Sequence, residues 1–249
     1  MNSSSEPTVS FDHVSKSFNG RAVLADVSFA IEEGKALCIL GRSGTGKSVT
    51  LKLMIGLLKP DQGAVYIQNR KINDLDEDGL SEVRRQMGFL FQSAALFDSF
   101  TLHDNISLPL QRFKAKRKEE IDATVKKLLD QVGLGEDGHK MPAMLSGGMR
   151  KRAGLARALA LEPSILLVDE PSSGLDRVSA SEIDELLLSI KKKEKTTMVI
   201  VTHDIRGARR VGDRLAVLDQ GKLAAIGTPD ELEDHENELV RALVSEKDK

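Results

Sequence analysis

The chain has 249 residues, of which 40% are hydrophobic, enough to form a substantial buried core. This length fits one large domain, or one domain with a lobe inserted into it. Thirty-six basic residues against 38 acidic ones give a net charge of −2, whereas nucleic-acid binding usually comes with a basic surplus. We therefore expect no nucleic-acid partner.

The sequence also argues against disulfides and membrane spans. A single cysteine, Cys38, cannot form an internal disulfide and suits a reducing compartment. Residues 1–7 lack both the basic and the apolar region of a signal peptide. The longest apolar runs, such as Ile165–Val168, are far shorter than the roughly 20 residues of a transmembrane helix. We therefore expect a chain that does not cross a bilayer by itself.

Short apolar runs alternate with longer amphipathic stretches, which is typical of a parallel sheet flanked by helices. In the first third, alternating segments favour an antiparallel sheet instead: Val9–Val14, Val27–Ile31 and Ala64–Ile67. The predicted buried strands are Ala36–Leu40, Met87–Phe91, Ile165–Asp169 and Met198–Thr202. A further pair, Leu215–Leu218 and Leu223–Ile226, is joined by a hairpin turn signal at residues 219–222.

The middle of the chain differs because it carries little strand signal. Between His103 and Met144 the apolar residues recur at helical spacing, at Ile121, Val125, Leu128 and Leu129. We therefore predict a helical lobe over about residues 100–160, inserted between core strands of a domain that covers residues 9–235. Residues 236–249 are predicted to form a C-terminal helix or tail.

A glycine-rich segment follows the first predicted buried strand. Residues 41–48, GRSGTGKS, match the phosphate-binding pattern G-x-x-x-x-G-K-[ST], and a helical pattern comes after them. Such a loop turns backbone N–H groups toward a phosphate, and the helix N-terminus adds partial positive charge. Lys47 would reach the β- and γ-phosphates, and Ser48 would bind Mg²⁺. The predicted nucleotide contacts are Gly41, Ser43, Gly44, Gly46, Lys47, Ser48 and Val49. The alternative is a glycine-rich turn with an exposed lysine.

A second candidate site lies at the end of the strand predicted over Ile165–Asp169. Four apolar residues are followed there by Asp169 and Glu170. The carboxyl ends of parallel strands are where α/β sheets bind ligands. We predict that Asp169 binds Mg²⁺ and that Glu170 polarises the water that attacks the phosphate. The alternative, a strand that ends in solvated acids, is less favoured because the phosphate-binding loop is present.

The segment Leu145-Ser146-Gly147-Gly148-Met149 precedes a helical pattern. Ser146 is a plausible N-cap, and Gly147 and Gly148 would expose N–H groups at the helix start, which gives a second anion site. One nucleotide does not need two such sites from one chain. The arrangement makes physical sense if two chains pair head to tail and each closes the nucleotide site of the other.

These segments together resemble the ABC ATPases, and the resemblance covers about residues 9–232. It implies an α/β fold: a P-loop NTPase (RecA-like) core with an antiparallel β-subdomain and an inserted helical subdomain. It also implies ATP hydrolysis with ATP and Mg²⁺ as cofactors. By resemblance, Gln92 matches the Q-loop glutamine near Mg²⁺, and residues 173–176, which end at Asp176, match the D-loop. His203 matches the switch histidine at the γ-phosphate, and Phe18 matches the adenine-stacking aromatic.

Each of these minor positions has an ordinary alternative. Gln92 could be a loop residue, His203 a capping or surface residue, and Phe18 part of the core. Arg177 stands where the family usually has proline, and Phe18 replaces the commoner tyrosine. The other four histidines lack metal-ligand spacing, so we expect no zinc. The basic clusters at residues 114–118 and 191–195 are interpreted as solvated helix faces.

Residues 145–149 resemble the signature motif of the ABC ATPases, and the helix after them resembles the signature helix. The variant of this motif with Met149 resembles the Mla/MCE-type lipid transport ATPases, as do residues 87–101 and the segment Gly46–Lys52. That resemblance implies a homodimer at the cytoplasmic face of the inner membrane, beneath a separate permease. It also implies an MCE-domain lipid-binding protein, a possible STAS-domain partner and phospholipid transport between inner and outer membranes. An importer of small polar solutes such as amino acids is the alternative, because its ATPase would carry the same catalytic motifs. A catalytically silent ATP-binding module is disfavoured because Lys47, Asp169, Glu170 and His203 are all present.

Overall fold

The computed structural model describes residues 6–113 and 117–245. Most of the predicted basic cluster at 114–118 and the last four residues of the predicted tail therefore lie outside the described residues. The strands are β1 (Val9–Phe18), β2 (Arg21–Ile31), β3 (Ala36–Leu40), β4 (Gln62–Ile67), β5 (Arg70–Lys71), β6 (Met87–Leu90), β7 (Ile165–Asp169), β8 (Thr197–Thr202), β9 (Arg214–Asp219) and β10 (Lys222–Gly227). The helices are α1 (Lys47–Met54), α2 (Glu77–Arg85), α3 (Leu102–Phe113), α4 (Lys118–Gln131), α5 (Gly147–Ala158), α6 (Arg177–Glu194), α7 (Ile205–Val211), α8 (Pro229–Glu233) and α9 (Glu238–Val244).

A six-stranded sheet in the order β10-β9-β3-β8-β7-β6 forms the centre. All neighbouring pairs are parallel except β10 and β9, which form an antiparallel hairpin. β3 is buried along its whole length because both faces of the sheet are covered. Cys38 and Leu40 point to one face and Leu37 and Ile39 to the other, into two separate apolar clusters. The sheet is thus a layer between two cores, as the continuous apolar strand predicts.

The second sheet is antiparallel, in the order β2-β1-β4-β5, and packs with α1 and α2 on one face of the central sheet. β1 and β2 are longer than predicted, since both extend past irregularities in the strand pairing. His13 and Asp26 lie at these irregularities with φ of 50° and 56°, which interrupts the alternation of apolar and polar residues. The β9–β10 turn is as predicted, with Gln220 and Gly221 both at positive φ.

Among the described residues between β6 and β7 lie three α-helices, α3, α4 and α5, and one short 3-10 helix, Pro142–Met144. The four apolar residues that predicted a helix, Ile121, Val125, Leu128 and Leu129, are all buried on α4. They belong to the same apolar cluster as Leu166 and Val168 of β7, so this segment packs directly on the central sheet. β6 ends at Leu90, one residue before its predicted end, and the Phe91 ring is partly exposed.

The C-terminal segment also packs on the core. Val240 and Val244 of α9 are fully buried in the cluster that contains Leu215 and Val217 of β9. The core therefore continues past residue 235, where the sequence interpretation ended the domain. In the described part of the chain, no helix combines the length and apolar character needed to span a membrane.

The buried position of α9 leads to a stability prediction. Val240→Ala removes two methyl groups from a site with no solvent exposure, so we expect the free energy of unfolding to fall by roughly 2 kcal/mol. Val178→Ala is the control, because Val178 is 71% exposed and its truncation leaves no cavity. Urea unfolding followed by circular dichroism measures both. Equal values for the two variants would contradict the packing of α9 on the core.

Candidate nucleotide-binding site

The glycine-rich loop runs from the end of β3 to the start of α1, which is the strand–loop–helix context that the motif requires. Gly44 and Gly46 have φ of 81° and 102°, a region that other residues rarely adopt. A Cβ on Gly41 would lie 2.5 Å from the Leu218 carbonyl oxygen and 2.6 Å from Thr45 Oγ1. The loop can therefore curl this tightly against β9 only because its glycines have no side chain.

Lys47 and Ser48 begin α1 and point into the site. Lys47 is 8% exposed, and its Nζ donates to the carbonyl oxygens of Gly41 at 2.7 Å and Arg42 at 3.3 Å. The exposed lysine of the alternative interpretation is thus excluded. Ser48 Oγ donates to Asp169 Oδ1 at 3.2 Å, which brings the loop and the end of β7 together. These contacts give a buried positive charge beside a hydroxyl–carboxylate pair.

Asp169 is the last residue of β7 and Glu170 is the first residue after it, and the two carboxylates have different environments. Burial raises the pKa of Asp169, and the Ser48 hydrogen bond opposes that shift. Glu170 is 9% exposed; its Oε1 lies 3.6 Å from Lys47 Nζ, and its Oε2 lies 2.7 Å from His203 Nδ1. The backbone N–H of His203 also donates to Oε2, at 3.2 Å. Glu170 is therefore not a solvated terminal acid but a carboxylate held between a lysine and a histidine.

The backbone of Glu170 is unusual. Its φ is 47°, in the left-handed region, which costs about 1–3 kcal/mol for a residue with a side chain. Its N–H donates to the Val201 carbonyl at 2.9 Å, which extends the pairing of β7 with β8 by one residue. Its carbonyl accepts from Lys151 Nζ at 2.7 Å. The surrounding structure fixes this conformation at both ends of the residue.

Lys151 was missed by sequence reasoning. It lies on α5 and is 5% exposed; burial lowers its pKa, while the carboxylates of Asp169 and Glu170 raise it. In the sequence it is one of three consecutive basic residues, 150–152, and nothing in that run indicates which one turns inward. Its contact with Glu170 depends on how α5 packs on the sheet.

A cleft of about 600 Å³ opens at this edge of the sheet, a size suited to a nucleotide. It is lined by Val23, Ser43, Gly44, Gly46, Lys47, Ser48, Val49, Gln92, Glu170 and His203. All of these except Val23 were predicted nucleotide, metal or catalytic residues. Val23 was missed because it is an ordinary apolar residue of β2, and only the placement of the antiparallel sheet brings it to the cleft.

Other predicted residues lie outside the lining of this cleft. Phe18 ends β1 with its ring 41% exposed, which excludes the alternative of core packing, and Lys16 Nζ lies 5.5 Å from the ring centroid. Ser146 caps α5 as predicted and accepts from the Met149 N–H at 3.2 Å, with Gly147 and Gly148 in the first turn. Asp176 caps α6 by accepting from two backbone N–H groups, and these bonds lower its pKa. Its side-chain hydrogen bonds among the described residues therefore go only to Val178 and Ser179, in the first turn of α6.

The donor set at the cleft fits a magnesium ion that is bound mainly by nucleotide phosphates. Mg²⁺ usually takes one or two protein oxygens, with water and phosphate completing its shell. Ser48 Oγ and Asp169 Oδ1 converge there, and Gln92, predicted to assist, lines the same cleft and contacts Ser173 Oγ at 3.4 Å. In residues 6–113 and 117–245, the cleft included, no group of three or more His, Cys, Asp or Glu side chains is placed to hold a metal ion by itself.

Comparisons with known proteins agree with this geometry. A family model described as ABC transporter matches residues 24–173. The probable ribonucleotide transport ATP-binding protein mkl of Mycobacterium tuberculosis strain H37Rv is 41% identical over 238 residues, which cover 96% of this chain and 66% of the relative. The methionine import ATP-binding protein MetN of Brucella abortus strain 2308 is 42% identical over 223 residues, covering 90% and 60%. This chain thus spans about two thirds or less of the length of these relatives.

Solved structures give the same fold. The ATP-binding cassette MJ0796, described as a dimer in a post-hydrolysis state bound to ADP and Pi, superposes with a TM-score of 0.83 at 36% identity. The match covers 88% of this chain and 98% of that one. CbiO1 from Clostridium perfringens, part of the ABC transporter complex cbiONQ, gives a TM-score of 0.85 at 29% identity and covers 96% and 94%. The chain belongs to the ABC transporter family, and its fold is the α/β fold of that family's ATP-binding cassettes.

Proposed function

We propose that this chain binds ATP with Mg²⁺ and hydrolyses it to power a transporter. The observation that carries the proposal is the position of the Glu170 carboxylate. It lies at the phosphate-binding loop, between Lys47 Nζ at 3.6 Å and His203 Nδ1 at 2.7 Å, in a cleft of nucleotide size. A carboxylate placed in this way can orient and polarise a water molecule for attack on the γ-phosphate.

The phosphates would bind at the loop. Gly41, whose carbonyl accepts from Lys47, begins the loop, and Ser43, Gly44 and Gly46 line the cleft. Val49 lies in the first turn of α1, whose N-terminus favours negative charge. The Lys47 ammonium donates to two loop carbonyls. When a nucleotide binds, the ammonium would donate to the β- and γ-phosphates instead, which is a charge-assisted contact. Phe18, exposed at the end of β1, would stack on the adenine.

Magnesium would bind beside Lys47, on Ser48 Oγ and Asp169, with Gln92 near the same ion. When bound, the ion neutralises charge on the β- and γ-phosphate oxygens. Burial raises the pKa of Asp169, and a cation bound beside it would stabilise the charged carboxylate. His203, tied to Glu170 through both its ring and its backbone N–H, would contact the γ-phosphate and hold the carboxylate in place.

The role of Glu170 can be tested by changing only its charge. Glu170→Gln keeps the size of the side chain but removes the negative charge that polarises the water. We expect ATP affinity within a few-fold of the wild-type value and a hydrolysis rate at least about 100-fold lower. Fluorescent-nucleotide titration measures binding, and phosphate release measures turnover. Near-normal turnover would remove Glu170 from this role.

We further propose that two copies pair head to tail. Ser146, Gly147 and Gly148 form a helix N-terminus suited to an anion, yet they are not among the residues that line the cleft of their own chain. A second chain would bring them to the γ-phosphate, with Asp176 at the shared boundary. The solved cassette MJ0796, itself described as dimeric, supports the pairing of two copies.

The transporter partner would be a separate integral-membrane permease, with this chain bound beneath it at the cytoplasmic face of the inner membrane. The loop after β6, which begins next to Gln92, carries three partly exposed phenylalanines, Phe91, Phe97 and Phe100. Exposed apolar groups of this size on one loop are typical of a protein contact. A permease segment bound there would contact the same loop that carries Gln92, and thereby connect with the nucleotide site.

The cargo we propose is phospholipid, moved between inner and outer membranes with an MCE-domain protein and a STAS-domain partner. Its support is the resemblance of residues 87–101 and 145–159 to the Mla/MCE-type ATPases. The alternative is import of a small polar solute. The relative named for methionine import, at 42% identity, favours that alternative, and the name of the mkl relative points to ribonucleotides instead.

Reconstitution in proteoliposomes distinguishes between phospholipid and a small polar solute as the cargo. The chain is purified with its native permease, placed in proteoliposomes that contain labelled phospholipid, and mixed with an acceptor MCE-domain protein. We expect ATP to change the rate or extent of lipid transfer, and the Glu170→Gln complex to show no such effect. ATP-independent transfer, together with hydrolysis that is stimulated by a methionine-loaded binding protein, would contradict the lipid proposal and support the importer.

A further inference from the structure

Lys151 makes a contact that the proposed chemistry does not yet use. Its side chain starts on α5, the helix that Ser146 caps, and its Nζ reaches the main-chain carbonyl oxygen of Glu170 at 2.7 Å. Lysine is rarely buried, yet this one is 5% exposed. A buried ammonium without partners is strongly unfavourable, so its hydrogen bond to Glu170 is an essential feature of this site.

The direction of Lys151 differs from that of its neighbours. Arg150 donates to the Leu145 carbonyl and Arg152 to the Val132 carbonyl, both within the helical segment between β6 and β7. Lys151 instead crosses from that segment to the loop after β7. Of these three consecutive basic residues, it is the one that links the signature helix to the catalytic edge of the sheet.

The carbonyl that Lys151 holds belongs to a residue with a strained backbone. Glu170 has a φ of 47°, its N–H is fixed by Val201, and its carbonyl accepts from Lys151 and, at 3.3 Å, from the Ser173 N–H. The direction of the Glu170 side chain follows from the orientation of this peptide unit. Without the ammonium, the carbonyl could rotate toward a relaxed conformation, and the carboxylate would leave its position between Lys47 and His203.

We infer that Lys151 is a positioning residue for Glu170. Through it, the position of the signature helix α5 determines the orientation of the carboxylate that polarises the water. This inference rests on the proposed function, because it assigns Lys151 a role only through the activity of Glu170. Lys151 lies four residues after Gly147, on the same face of the helix. If α5 moves when its N-terminus binds a phosphate, the Lys151 side chain would therefore transmit that movement to Glu170.

The test is a double-mutant cycle on the full-length chain, with ATP affinity and single-turnover hydrolysis measured separately. Lys151→Met keeps an unbranched apolar side chain, one atom shorter than that of lysine, and removes the donor. We expect hydrolysis to slow on the order of tenfold to 100-fold, since small misplacements of a catalytic group have effects of that size, with ATP affinity within about threefold. In the Glu170→Gln background, Lys151→Met should cause little further loss, because both changes act on one group.

The matched control is Lys191→Met. Lys191 on α6 also donates to a main-chain carbonyl, that of Val211 at 2.7 Å, but it pairs with Asp213 away from the cleft. It is only 16% exposed, so it does not lie on the solvated face that the sequence suggested. Both variants should lower thermal stability, and only Lys151→Met should slow hydrolysis. Lys151→Arg, which keeps a donor, should recover part of the lost rate. If the methionine variant does not fold, Lys151→Leu, which also removes the donor, takes its place in the cycle.

The outcomes separate the inference from the function on which it rests. If Glu170→Gln stops rapid hydrolysis but Lys151→Met keeps a rate within twofold of wild type, the inference is wrong and the proposed function stands. Losses that multiply in the double variant would also overturn it, because Lys151 would then act independently of Glu170. If Glu170→Gln hydrolyses ATP normally, the proposed role of Glu170 fails, and the inference fails with it.

Discussion

The site depends on the parallel alignment of β6, β7, β8 and β3, which brings their carboxyl ends to one edge of the sheet. Asp169 is the last residue of β7, and the phosphate-binding loop, His203 and Gln92 come shortly after β3, β8 and β6. Residues that are far apart in the chain therefore meet at this edge. The bond from Glu170 N–H to the Val201 carbonyl carries the pairing of β7 and β8 one step past the strand end. That extension fixes the residue on which the proposed chemistry depends.

Charge is concentrated at this edge with little solvent to screen it. Lys47, Lys151 and Glu170 are each at least nine-tenths buried, and Asp169 has a pKa that burial raises. Buried charges are tolerated when they are paired and hydrogen-bonded. Here each ammonium donates to a main-chain carbonyl and lies near a carboxylate. ATP and Mg²⁺ would enter by exchanging these partners for phosphates and a cation.

Much of this arrangement follows from the sequence because its signals are local. Local patterns predicted the tight loop from the glycines at 41, 44 and 46 and the helix start from Ser146. They also predicted the buried strand that ends at Asp169 and is followed by Glu170. The features that sequence reasoning missed arise from packing between distant segments. Val23 reaches the cleft only because the second sheet lies over the loop. α9 joins the core through Val240, and the sequence near the end of the chain did not indicate that this residue is buried. The resemblance to ABC ATPases supplied roles for isolated residues such as Gln92, which their local patterns alone could not.

The central claim is that Glu170 polarises the attacking water because neighbouring residues hold its carboxylate in position. The most direct test is to remove the side chain of His203, which contacts that carboxylate. His203 donates its backbone N–H to Glu170 Oε2, and its ring contacts the same oxygen at 2.7 Å. His203→Ala keeps the backbone bond and removes the ring. The measurement is the single-turnover hydrolysis rate at saturating ATP, set beside the dissociation constant for ATP. The account predicts a rate on the order of 100-fold lower with ATP affinity changed only a few-fold. An unchanged rate, with weaker ATP binding alone, would contradict it.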